Sequence, residues 1–146
     1  AVLRDQTPDH LLLLACRGPA FCQREYRSSS CRMFPFFPYI TSDDRFIGLA
    51  YEWDFEPVCW VISHLDAVTD RYREEFVRAY DDLFAVWQEE FYNFADISAE
   101  MRDQFAAAHR RIPLLHRSGG CRLISPASER MVCTDPASLR RFGPYR

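Results

Sequence analysis

The sequence has no lysine: all 18 of its basic residues are arginine, and Asn93 is its single asparagine. A GC-rich coding bias produces that pattern, and so does selection against lysine as the acceptor of ubiquitin. Composition leaves both readings open. Long apolar runs are also missing. The longest, Leu11 to Cys16, falls far short of the roughly 18 residues of a membrane span, so no transmembrane segment is expected. With arginines and carboxylates interspersed and a net charge of −3, there is no basic footprint for nucleic acid and no cationic amphipathic helix for a lipid surface. Phosphate-binding glycine loops of the P-loop or GxGxxG kind do not occur, nor do GxSxG or HExxH. The cysteines form no CxxC pair and share no zinc spacing with histidine, so no metal site is expected.

Cysteine, apolar side chains and aromatics are what the chain does have. Apolar residues make up 48% and aromatics 15% of the 146 positions, enough for a packed core in one domain spanning 1–146. Six cysteines without metal spacing (Cys16, Cys22, Cys31, Cys59, Cys121 and Cys133) predict a disulfide-stapled domain made for an oxidising, extracellular compartment. A chain opening at Ala1 without an initiator Met reads as already processed. One pairing has local support. In CRLISPASERMVC two strand-like segments flank Pro126 and Ser128, and folding about Ala127 sets Cys121 opposite Cys133. The pairing of Cys16, Cys22, Cys31 and Cys59 is open.

Leu11 to Cys16 reads as a short buried strand ended by Gly18 and Pro19. Residues 18–45, rich in proline and cysteine, read as an irregular stapled loop whose cluster Phe34, Phe36, Phe37 and Tyr39 lies against the core. FIGLAYEW (46–53) has strand character. Val68, Tyr72, Phe76, Tyr80, Leu83, Trp87 and Phe91 then recur on a helical period, predicting one long amphipathic helix with Trp87 on its buried face. Arg71, Arg73, Glu74, Glu75, Arg78, Asp81 and Asp82 fill the solvated face. Ser98 can cap a second helix carrying Met101 and Phe105, which Pro113 ends. Strands at both ends of a helical middle predict an α+β domain with a C-terminal β-hairpin. Alternation of His64 and Asp66, or the trio His109, Glu90 and Arg110, can be cast as hydrolase or RNase residues, but no spacing demands it.

FIGLAYE (46–52), WQEEF (87–91) and AHRRIP (108–113), in that order, resemble segments of the catalytic subunits of ADP-ribosylating toxins, the pertussis and heat-labile enterotoxin A-like family. The resemblance covers about residues 46–135 and implies a shortened ADP-ribosyltransferase-like fold. Family chemistry needs an Arg on the first strand to hold NAD, a Ser-Thr-Ser-like strand, and a Q-x-E glutamate that stabilises the departing ribosyl cation. Arg17 corresponds to the first. Ser28 to Ser30 and Thr41-Ser42 are poor substitutes for the second. For the third, one alignment uses Gln88 and Glu90. The other uses Asp103-Gln104-Phe105, with Phe105 in place of the glutamate, and the helical period running through Gln88 favours it. The resemblance therefore implies a secreted, extracellular effector or virulence factor that binds a host protein and needs no cofactor, with translocation into host cells as a further option. An active NAD-dependent transferase using Arg17, Gln88 and Glu90, with Arg17 on the cofactor, is the alternative. A secreted structural protein is the third reading.

Overall fold

The computed structural model describes residues 16–146, and the chain divides into two units, Ala1–Arg32 and Met33–Arg146. The expected strand at Leu11 to Cys16 lies, apart from Cys16 itself, outside the described residues. What is described of the first unit is a run of short turns. Single 3₁₀ turns at Pro19–Phe21 and Arg24–Tyr26 lead to a one-turn helix, α1 (Ser29–Met33), and neither the second turn nor α1 contains a buried residue.

The second unit is built on five antiparallel strands: β1 (Phe36–Ile40), β2 (Phe46–Tyr51), β3 (Ile112–His116), β4 (Cys121–Ile124) and β5 (Met131–Thr134). They lie side by side in chain order. Two helices, α2 (Asp70–Val86) and α3 (Gln88–Ala107), are inserted between β2 and β3, so the α+β expectation holds. β1 falls in the region read as loop. Its sequence FFPYI has no polar alternation to mark a strand, because all five residues are buried. Pro38 is tolerated there because β1 is an edge strand, where a missing N–H breaks no ladder.

Both faces of the sheet are covered. Phe37, Tyr39, Ile112, Leu114 and Ile124 pack with Met101 and Phe105 of α3. Phe36, Ile40, Phe46, Leu49, Tyr51, Leu115 and Cys121 pack in a second cluster with Phe76 of α2. Tyr39 pairs with Gly48 but Ile40 with Phe46, so Ile47 is the extra residue of a bulge that turns its side chain to the α3 face. At Gly48 the Leu115 carbonyl approaches so closely that a Cβ would collide with backbone.

Thr69 caps α2, its hydroxyl accepting from the Tyr72 N–H at 3.2 Å. The expected single long helix is two. At Trp87 the backbone leaves the helical region (φ −136°, ψ 83°), and α3 begins at the next residue. Ser98 is no cap: it lies in the middle of α3, fully buried.

The disulfide-stapled fold is overturned, because all six cysteines carry free thiols. The hairpin exists, but its register differs by one residue from the expected one: Cys121 pairs with Thr134, and Arg122 with Cys133. The loop closes on Ser125 and Arg130, whose backbones bond at 3.0 Å, leaving four residues between them. An even loop cannot be centred on Ala127. Since strand side chains alternate, the one-residue difference sends Cys121 and Cys133 to opposite faces, one buried and one exposed. Glu129 holds this turn. With φ of +50°, its carboxylate accepts from the Ser42 N–H at 2.9 Å, from Tyr39 Oη at 3.2 Å and from Arg102 Nη1 at 3.2 Å.

Candidate functional site

The segment AHRRIP acquires its shape from the end of α3. The Arg110 N–H bonds to the Phe105 carbonyl at 2.8 Å and the His109 N–H to that of Ala106 at 3.0 Å, while His109 takes a φ of +51°. This is a Schellman ending with histidine in the left-handed position. It turns Arg110 back over the ring of Phe105, with the guanidinium carbon 4.4 Å from the centroid. From there Arg110 grips Glu56 with both ends of its fork, at 2.6 and 3.1 Å. Tyr51 donates its hydroxyl to the same carboxylate at 2.9 Å. Burial, and then the charge of Glu56, pushes the Tyr51 phenol well above its usual range, so it remains a donor.

Beside this network opens a cleft of about 340 Å³. Arg110, Arg111 and Arg140 line it with the hydroxyl residues Thr134 and Ser138, over an apolar floor that includes Ile62, Leu65, Leu123 and Phe142. Among the described residues, no carboxylate lines it. Arg110 and Arg140 both lie over the Phe142 ring, 5.5 and 5.4 Å from its centroid.

A second concavity, about 470 Å³, lies at the joint between α2 and α3, lined by Asp44, Phe84, Ala85, Gln88, Phe91 and Tyr92. Around the joint, large side chains are left in solvent: Val86 is 84% exposed, Trp87 50% and Tyr92 51%. The break at Trp87 explains this. A continuous helix would keep Trp87 on the stripe of Phe76, whereas the extended conformation swings it out.

Gln88 and Glu90 stand in the first turn of α3. Gln88 donates to the Tyr92 hydroxyl at 3.5 Å, and Glu90 accepts from Asn93 Nδ2 at 3.0 Å. Arg17 belongs to the first unit, exposed, its guanidinium 5.7 Å from the Phe21 ring. The structure thus brings Gln88 and Glu90 onto one helical turn. Phe105, which replaces the glutamate in the other alignment, is a core residue under Arg110. Thr41 and Ser42 follow β1 in the turn to β2, and Ser28 to Ser30 lie at the start of α1.

Sequence reasoning did not single out Arg111, Arg140 or Glu56. Arg140 and Arg141 gave no signal beyond composition, and Glu56 was hidden in a segment without periodicity. Among the described residues, no group of histidine, cysteine and carboxylate side chains could hold a metal ion, and no helix is long and apolar enough to cross a membrane. Neither family models, curated proteins nor solved structures offer a match to this chain.

Proposed function

We propose that this chain is a binding protein without chemistry of its own, which captures a basic, amphipathic segment of a partner protein at the α2–α3 joint. The observation that carries this reading is the exposure of Trp87, Val86 and Tyr92 around one concavity. Tryptophan and tyrosine are the side chains that most often dominate protein interfaces, because each buries a large rigid area while keeping a polar tip. Exposed apolar groups clustered on one structural feature mark interaction surfaces more often than scattered ones do. Charge decides the kind of partner. Asp44 lines the concavity, Glu89 and Glu90 occupy the adjoining helical turn, and among the described residues no arginine lines it. A helix with apolar anchors and flanking basic residues complements such a surface.

The toxin-like segments extend the proposal to a secreted effector acting on a host protein. With the thiols free, secretion rests on that resemblance and no longer on the cysteines. The test is titration with a synthetic amphipathic peptide carrying leucine anchors and lysine flanks, followed by amide NMR shifts. Perturbations confined to the α2–α3 joint, lost in Trp87→Ala and absent with a glutamate-flanked peptide, are expected. Equal response to both peptides, or shifts spread elsewhere, would overturn the reading.

A further inference from the structure

We infer that the arginine-lined cleft is a second, separate binding site, for a small organic anion that joins a phosphate or carboxylate head to an apolar body. Charge accounting within the cleft points there. Of its three arginines, Arg110 is neutralised by the bidentate contact with Glu56. Arg111 and Arg140 are exposed and, among the described residues, have no acidic partner and meet no carboxylate in the lining. The nearest acidic residue in sequence, Asp135, is engaged in capping the turn Pro136–Ser138 through Ala137. Two cations therefore face one concavity uncompensated, and Arg140 shares the Phe142 ring with Arg110. Like charges gathered this way repel, and an oxyanion relieves the repulsion while using the guanidinium forks. The hydroxyls of Thr134 and Ser138 add polar groups along the lining.

The rest of the lining selects the body of the ligand. Ile62, Leu65, Leu123 and Phe142 give an apolar floor that a bare inorganic ion would leave uncovered. A volume near 340 Å³ is that of a small-molecule site, at the lower end of the usual range of about 300–1,000 Å³. Rigid backing comes from below: the Glu56–Arg110–Tyr51 network and the Arg110–Phe105 stack fix one wall, so little ordering is needed on binding.

The test uses the full chain and four probes titrated by calorimetry: inorganic phosphate, phenyl phosphate, benzoate and neutral benzyl alcohol. Phenyl phosphate is expected to bind more tightly than inorganic phosphate, because only it covers the floor. Benzyl alcohol is expected to bind at least about tenfold more weakly than phenyl phosphate, because it leaves both cations unpaired. Comparison of phenyl phosphate with benzoate assigns the head group. Arg111→Gln combined with Arg140→Gln should reduce anion affinity by at least about tenfold, with an unchanged melting temperature because both positions are exposed. Trp87→Ala should leave anion binding untouched, which keeps this outcome distinct from that at the helix joint. Benzyl alcohol binding as well as phenyl phosphate, anion affinity unaltered by the double substitution, or absence of binding by every probe would each overturn the inference.

Discussion

The hydroxyl of Ser98 joins α3 to the edge strand: it accepts the Ile40 N–H at 2.9 Å and donates to the Phe94 carbonyl at 2.7 Å. A serine in mid-helix ordinarily gains nothing from its hydroxyl, but here it satisfies a buried strand donor. Ser98→Ala leaves the Ile40 N–H unpaired in the core, and should cost about 1–3 kcal/mol in urea unfolding. A cost below a few tenths would mean that water reaches this amide.

Trp87 and Phe76 sit on the same sequence stripe but in opposite environments, 50% and 1% exposed. Phe76→Ala opens a core cavity and should cost about 3–5 kcal/mol. Trp87→Ala should cost under about 1 kcal/mol, since half of the ring is already in water. Equal costs would show that the stripe is one continuous buried face after all.

The thiols make a third prediction. Protein unfolded without reductant should release six titratable thiols. In the native state the exposed Cys16, Cys31 and Cys133 should react first and Cys121 last, because burial shields its sulfur and pushes its thiol pKa up. A count below six would restore a disulfide.

A fourth concerns NAD. A cleft that stabilises a departing ribosyl cation releases nicotinamide even without an acceptor. The purified protein should release none above background, and Glu90→Gln should change nothing, since Glu90 faces Asn93 on a helical turn. Release abolished by that substitution would promote the transferase using Arg17, Gln88 and Glu90.

His116 should make stability depend on pH. Burial first, then the charges of Arg122, Arg117 and Arg73, hold its imidazolium below the usual 6.5. The unfolded chain then binds a proton that the folded chain resists, so stability falls as pH drops below 6.5 through the folded value. Chemical denaturation from neutrality into that window should show the decline, and His116→Gln should flatten it. A decline of equal size in the variant would assign it to other groups.

Side-chain period and turn chemistry determined β2, the C-terminal hairpin and the buried position of Phe76 directly from the sequence, because each depends on neighbours within a few residues. β1 was not legible, since a strand buried on both faces loses the alternation that identifies it. Hairpin register depends on whether the loop holds an odd or even number of residues, and Glu129 settles that through Tyr39, Ser42 and Arg102, distant in sequence. The break at Trp87 is invisible to a period that continues unchanged across it. Only the tertiary structure could assemble the arginine cleft. Arg111 follows the end of α3 and Arg140 follows β5, and pairing of β3, β4 and β5 in one sheet brings these chain segments to the same concavity. Local preference sets elements one at a time, whereas a site made of unpaired charges exists only where the packed elements leave those charges facing each other.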